Sequence, residues 1–333
     1  VSRPTIAGVA RAAGVSVASV SRVLNGLPAT EEMVERVQRA VDELGYVPDA
    51  RARSLKVGRT FQLTLAVADV GNPVYVTMMR AVEEVVSAAG YRLVVTTTGP
   101  DVVDEVALVR GMARGYADGL LISPIRVDED LVKSIRECEV PVVVAGNVPA
   151  KAGVDTVRAN SPKGMLVAVD HLVAKGRRRI AFLNGPADTV PGAARAKGFA
   201  EALKAHELQP VAVAEATDFT FAAGRAAAPD LLAAGGLAGA FDAVICANDL
   251  LAVGVMHELA AAGLEVPADV AVVGMDDSEL AEQSFPPLTS VNLGSAERGR
   301  RAAELLLARI EDNERTPRRI VVQPSLSIRR STP

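Results

Sequence analysis

The stretch "GVSVASVSRVLNG", residues 14–26, decides how the first part of the chain is read. It is small, β-branched and polar, holds one arginine, and has too little apolar surface for an ordinary core helix. Ser16 offers a hydroxyl N-cap and Asn25-Gly26 a stop, so the spacing predicts a short helix between them. Upstream, "TIAGVARAAG" reads as a helix that Thr5 starts and Gly14 ends. Helix, glycine turn, helix is the helix-turn-helix layout, and glycine supplies the left-handed backbone that the turn needs. Downstream, "TEEMVERVQRAVDELGY" predicts a third helix, begun by Thr30, with Glu31 and Glu32 at its positive end and Gly45 stopping it. Val34, Val37, Val41 and Leu44 recur at helical spacing and are expected to be its buried stripe. Val20, Val23 and Leu24 then face the third helix, while Ser16, Val17, Ala18, Ser21 and Arg22 face outward. That outer face suits a DNA major groove. The serines can donate to phosphates or base edges, Val17 and Ala18 can meet thymine methyls, and Arg22 can fork onto guanine. A plain three-helix cap with a polar exterior fits the same pattern, so the residues alone leave both readings open.

The charge distribution supports an anionic partner for this head. Residues 1–59 carry nine Lys/Arg against six Asp/Glu, whereas the whole chain of 333 residues has a net charge of −4. A basic head on an acidic body directs the head alone towards polyanions. Two cysteines, Cys138 and Cys246, sit far apart without metal-type spacing, and the three histidines are isolated. This predicts a reducing, cytoplasmic setting and no metal or cofactor. No apolar run approaches the roughly 20 residues that a bilayer needs, and the N-terminus lacks the apolar middle of a signal peptide, so neither a membrane partner nor export is expected.

From Phe61 the texture changes. Aliphatic runs ("LTLAVADV", "YRLVVTTT", "DGLLISP", "VPVVVAGN", "RIAFLNGP", "FDAVICAND", "VAVVGMDD") alternate with helical stretches. Near-continuous apolar strands between helices mean parallel sheets covered on both faces. The pattern runs to about 158 and restarts, which predicts an α/β body of two doubly wound lobes. Late segments, "LTSVNL" and "RRIVVQPSLSIRRS", can return to complete either lobe. The expected division is a helix-turn-helix domain at 1–48, a linker at 49–59 and a core at 60–331. Within the core, a first lobe takes about 60–158 plus 291–317, and a second about 159–290 plus 318–331. Ligands bind beyond the carboxyl ends of such strands. The polar residues there are Asp69, Asn72, Ser123, Asn147, Asn184, Asn248, Asp249, Asp276 and Asp277. Carboxylates and amides suit a polyhydroxylated ligand, whose hydroxyls both donate and accept. Each of these residues can equally be a helix cap, Asp249 above all. No G-x-G-x-x-G follows the first strand, and no P-loop, paired-histidine motif or G-x-S-x-G elbow is present, so enzymatic chemistry is not expected.

"TIAGVARAAGVSVASVSRVLNG" resembles the N-terminal signature of the LacI/GalR family of bacterial transcription regulators, T-x-x-D-V-A-x-x-A-G-V-S-x-x-T-V-S-R-V-L-N. Gly8 and Ser19 depart from it, standing where the family usually has Asp and Thr. The resemblance places Thr5, Ser16, Val17, Ala18, Ser21, Arg22 and Asn25 at the DNA. "ARSLK", residues 52–56, is similar to the family's hinge, which implies paired hinge helices in the minor groove with Leu55 as a wedge and Arg51 and Lys56 at phosphates. The body resembles the family's periplasmic-binding-protein-like core. "GPADTVPGAARAKGF" puts Arg195 at its ligand arginine, "TDFTFAAG" puts Phe219 at its stacking position, and Asp69, Tyr75, Asn147, Asn248 and Asp276 join them around the effector. Gly146 and Ala159 stand where many members carry ligand-contacting or acidic residues, with Asn147 and Asn160 as substitutes.

The resemblance implies a ligand-responsive repressor that binds a pseudo-palindromic double-stranded DNA operator as a homodimer and senses a small effector, a sugar by preference. The chain stops soon after "SIRRSTP" without a leucine heptad tail, which favours a dimer over a tetramer. The alternative is a sugar-binding transport-type protein of the same core fold with no role at DNA.

Overall fold

The computed structural model describes residues 4–47, 58–234 and 241–333. The chain divides into two compact units, Val1–Thr60 and Phe61–Pro333. The expected hinge residues Arg51, Leu55 and Lys56 lie outside the described residues.

Among the described residues the first unit holds three helices, α1 (Ile6–Ala13), α2 (Val17–Leu24) and α3 (Glu31–Leu44). Each starts on the hydroxyl expected of it: Thr5 Oγ1 accepts from Gly8 N, Ser16 Oγ from Ser19 N, and Thr30 Oγ1 from Met33 N. Gly14 ends α1 at φ +63°, and the chain direction turns by 102° into α2. The turn is fastened from α3, where the Arg36 guanidinium donates to Ala13 O at 2.6 and 3.0 Å and to Gly14 O at 3.0 Å. A Cβ on Gly14 would meet that guanidinium at 2.6 Å, so glycine is needed there for space as well as for backbone. The core is Val9, Ala10, Ala13, Val20, Val37 and Ala40, with Val23, Leu24, Met33 and Val41 packed on it. Two members of the expected α3 stripe fall outside this core, Val34 at 42% and Leu44 at 40% exposure. The reason is length: α3 has 14 residues and its neighbours 8 each, so its ends reach past the helices it packs on.

The second unit contains two six-stranded sheets. The first takes β1 (Gln62–Val67), β2 (Arg92–Thr97), β3 (Gly119–Ser123), β4 (Val142–Val144), β5 (Asp155–Ala159) and β11 (Arg319–Val322), in the order β11-β5-β4-β3-β1-β2. The second takes β6 (Ile180–Asn184), β7 (Val213–Glu215), β8 (Ala243–Cys246), β9 (Ala271–Met275), β10 (Thr289–Asn292) and β12 (Ser325–Ser327), in the order β12-β10-β9-β8-β6-β7. All pairings are parallel except β10 with β12. Helices α4 (Pro73–Ala88), α5 (Val102–Gly111), α6 (Glu129–Arg136) and α12 (Ser295–Glu311) flank the first sheet. Helices α7 (Ser161–Ala174), α8 (Val190–Ala205), α9 (Phe221–Ala234), α10 (Asp249–Ala261) and the short α11 (Glu279–Gln283) flank the second.

The chain therefore crosses between lobes three times, after β5, after β10 and after β11. This moves two boundaries of the expected division. β10 pairs with β9, so the second lobe runs through Asn292, and β11 pairs with β5, so the first lobe reclaims Arg319–Val322. A buried carboxylate fixes the latter assignment. Asp155, fully enclosed at the start of β5, accepts from Arg309 Nε of α12 at 2.7 Å and from the Arg318 amide at 2.6 Å. That clamps the strand entering at 319 to the first sheet, because leaving Asp155 unpaired in the interior is costly.

Asp249 performs the matching task in the second lobe. It follows β8 and accepts from Ser278 N and Oγ, both at 2.8 Å, beyond β9, and from Ser290 Oγ at 2.5 Å in β10. Burial pushes its carboxyl up to about 7, repulsion from Asp276 adds to this, and the three hydrogen bonds offset it.

These arrangements make stability testable at two positions. Asp249 holds its proton in the folded protein up to about pH 7, whereas the unfolded chain releases it near the ordinary value of 3.8. Its contribution to stability is complete below that ordinary value and is lost as pH rises through 7, by an amount on the order of a few kcal/mol. Urea titrations between those limits should show a smaller loss with rising pH in Asp249→Asn than in the unsubstituted protein; parallel curves would remove Asp249 as the source. In the first unit, a Cβ on Gly8 would meet only Thr5 Oγ1, at an ordinary 3.6 Å. Gly8→Ala should stabilise α1 by roughly 0.5–1 kcal/mol, read as slower amide exchange along Ile6–Ala13 in the full chain; unchanged or faster exchange would contradict it.

Candidate functional site

The outward face of α2 carries the side chains expected at DNA. Ser16, Val17, Ala18, Arg22 and Asn25 are exposed and Ser21 is half-buried. The Arg22 guanidinium makes no hydrogen bond or ion pair among the described residues, so it is available to a partner. Asn25 is already engaged, Nδ2 donating to Ser21 O at 2.6 Å, so its first task is to close α2. Thr5 and Ser16 use an oxygen lone pair as caps, and the Ser16 hydroxyl also shares a hydrogen bond of 2.9 Å with the Ser19 hydroxyl.

In the second unit, the carboxyl ends of the sheets face a cavity of about 330 Å³ between the lobes. Asp69, Tyr75, Asn147, Arg195, Phe219, Asn248 and Asp276 all line it. Asn72 and Ser123 from the strand-end set are there as well, whereas Asn184, Asp249 and Asp277 lie outside the lining. Asn184 Nδ2 donates to Gly192 O, and Asp277 accepts from Ser327 Oγ and Asn292 Nδ2, so both are spent on the fold. Asn160 is not a substitute ligand either. It caps α7, accepting from Lys163 N at 3.3 Å, and lies off the cavity wall. Gly146 and Ala159 do line the cavity, as open wall.

The deepest charges are Arg195 and Asp276, an ion pair of 3.3 Å with side chains 8% and 7% exposed. Burial pushes the Asp276 carboxyl up, and Arg195, then Arg298, pull it back. Asp276 sits at φ 107°, a conformation side chains rarely adopt, held by its own amide donating to Val291 O at 2.8 Å. Phe219 lies under Arg195, whose guanidinium carbon is 5.6 Å from the ring centroid. The ring fits because position 185 is glycine, where any Cβ would overlap it. Asn248 is the N-cap of α10: Oδ1 accepts from Leu251 N and Nδ2 donates to Phe219 O, both at 2.9 Å. It holds the aromatic in place and leaves Asp249, the expected cap, at the first helical position. Burial raises the Tyr75 phenol, countered first by its bond with Ser123 and then by Arg298, so a neutral hydroxyl faces the cavity.

Four charged lining residues were not singled out from the sequence: Arg158, Lys197, Asp218 and Arg298. Arg298 is the consequential one, because it brings a second guanidinium beside Asp276 from α12 of the opposite lobe. At the rim the lobes touch through a two-pronged Arg126–Asp188 pair at 2.8 and 3.0 Å, through Arg80–Glu279 at 2.7 Å, and through Val190 N donating to Ile125 O at 2.8 Å. No histidine or cysteine lines the cavity, and no group of three or more His, Cys, Asp or Glu suited to a metal ion occurs among the described residues.

Residues 5–49 match the bacterial regulatory proteins, lacI family, and residues 169–332 match the periplasmic binding protein-like domain. The HTH-type transcriptional regulator CelR of Thermobifida fusca is 37% identical over 342 residues, spanning 99% of this chain and 98% of that protein. The HTH-type transcriptional repressor PurR of Photobacterium profundum is 32% identical over 338 residues, spanning 98% of each. Among solved structures, the transcriptional regulator CelR-cellobiose complex is 36% identical with a TM-score of 0.74, covering 99% of this chain and 100% of that one. The lac repressor dimer bound to operator and the anti-inducer ONPF is 27% identical with a TM-score of 0.89, covering 99% of each. A matched head, a matched body and a relative of 37% identity along nearly the whole length place this chain in the lacI family of bacterial regulatory proteins.

Proposed function

We propose that this protein is a cytoplasmic repressor that binds a pseudo-palindromic operator as a homodimer and releases or grips it according to a sugar-sized effector held between the core lobes. The observation that carries this reading is the pairing of two surfaces in one chain. α2 offers an exposed Arg22 with short neighbours that let it lie deep in a groove. The core offers a partly open cleft of mixed polar and apolar lining with an aromatic at Phe219. Cellobiose in the solved CelR relative supports a sugar as the effector class. Binding without turnover is the reading of the cavity's chemistry, because Arg195 and Asp276 are paired with each other and not set as an acid and a base across a reacting bond.

Sugar hydroxyls would find Asp69, Asn147 and Tyr75 on one lobe and Arg195 on the other, so a ligand touching both favours one closure of the lobes. A coupling of ~1–3 kcal/mol between cavity and operator changes DNA occupancy about 5- to 150-fold, and operator must change effector affinity by the same factor.

The test is fluorescence anisotropy on operators selected from random palindromic DNA. Arg22→Ala should weaken the selected site about 10- to 100-fold while leaving binding to random duplex nearly unchanged, since a bidentate base contact is worth ~1–3 kcal/mol of discrimination. Arg195→Ala should keep operator binding and lose the response to the effector. A protein with no preference for any palindrome over random DNA at moderate salt would refute the proposal.

A further inference from the structure

Arg298 is an unbalanced charge in the cavity. Its guanidinium makes no hydrogen bond or ion pair among the described residues, and its Nε is buried without an acceptor. Arg195 Nε is buried without an acceptor too. Burial pulls the Arg298 guanidinium down from its usual value and Arg195 adds to this, while Asp276 and Tyr75 oppose it. Asp276 already serves Arg195 at 3.3 Å. Two guanidiniums, the buried Arg195 and the half-buried Arg298, thus share one carboxylate. Nearer the mouth, Arg158 and Lys197 are matched in number by Asp69 and Asp218, so the excess positive charge belongs to the deep group. Arg298 is half-buried as a residue with its Nε enclosed; a cation partly withdrawn from water without a partner is costly, and a guanidinium presents a planar fork that fits an oxyanion with two parallel bonds. Hydroxyls of a neutral sugar would supply acceptors but no charge.

We infer that the effector carries an anionic group, a carboxylate or a phosphate on a sugar-sized body, and that Arg298 receives it while Arg195 bridges that group and Asp276. The inference rests on the cavity being the effector site. It makes Arg298 a specificity residue contributed by the first lobe, facing the Arg195–Asp276 pair of the second. The anion would therefore join the lobes at the point where their charges are unequal.

The full-length protein and Arg298→Met, which keeps the length and removes the charge, should be compared by calorimetry and thermal shift. The probes are glucuronate, glucose 6-phosphate, inorganic phosphate, glucose and cellobiose, each up to ~10 mM. At least one anion should bind the unsubstituted protein about tenfold or more tightly than the neutral sugars, a difference of ~1.4 kcal/mol. Arg298→Met should erase that preference while melting higher without ligand, because it removes the unpaired charge. The carboxylate and phosphate arms separate the two anion types. Absence of any anion response that depends on Arg298, or a preference for cellobiose or glucose that survives in Arg298→Met, would overturn the inference. If cellobiose instead releases operator and the anions do not, the regulatory reading stands and this one fails. If an anion binds through Arg298 without altering operator affinity, the anion site stands and the regulatory reading fails.

Discussion

Asp276 occupies a conformation that its own chemistry does not favour, and the cavity is organised by what keeps it there. A residue at φ 107° costs about 1–3 kcal/mol and persists only when its surroundings over-determine it. Here the amide is tied to Val291 and the carboxylate faces Arg195, and Ser278, two residues on, is bonded to Asp249 through both its amide and its hydroxyl. Asp249 in turn reaches Ser290 in β10. Thus the carboxyl ends of β8 and β9 and the start of β10 are fastened by one buried acid, and the loop that carries Asp276 inherits that rigidity. The cavity wall of the second lobe is therefore rigidly held, and rigid walls lower the ordering cost of binding.

Much of this was legible in the sequence because the signals are local. Thr5, Ser16 and Thr30 cap the helices they precede, and Gly14 and Gly45 end helices in the left-handed conformation, since caps depend on neighbours three or four residues away. All seven aliphatic runs are strands, and six of them for a similar reason: a strand buried on both faces writes its environment into its own residues, whereas β2 is an edge strand with no buried residue. β5 left no such trace. "DTVRA" carries a charge at its first position, and Asp155 is buried only because Arg309, far along the chain, meets it. β7, three residues of which two are exposed, is equally silent.

The candidate site divides in the same way. The resemblance to a family located Arg195, Phe219 and Asp276, and the strand-end rule located Asp69 and Asn147; all five line one cavity. Arg298 could not be found by either route. It stands in "SAERGRRAAELLL" beside Arg300 and Arg301, which pair with Glu297 on the surface. Sequence shows a helix rich in arginine, but which arginine turns inward depends on how α12 beds against α4. Asn248 and Asp249 pose the opposite difficulty. Both are adjacent candidates to cap α10, and only the path of the chain after β8 decides that Asn248 caps while Asp249 goes under the neighbouring strands.

The contacts that close the cavity are of a different strength from those that shape it. Arg126–Asp188 and Arg80–Glu279 span the lobes at the rim, but Asp188, Arg80 and Glu279 are largely in solvent, and exposed pairs contribute little. Their attraction raises the Arg126 guanidinium and lowers the Asp188 carboxyl, so both stay charged through the ordinary pH range without locking the lobes. A weak rim around a rigid interior is what a ligand-set equilibrium requires. A ligand can bias closure only by the difference in its contacts between the two states, and a strong latch would swamp that difference. With rim pairs this weak, a deep contact made from both lobes at once is enough to decide the angle. Arg298 on one lobe and Arg195 on the other are placed to make it.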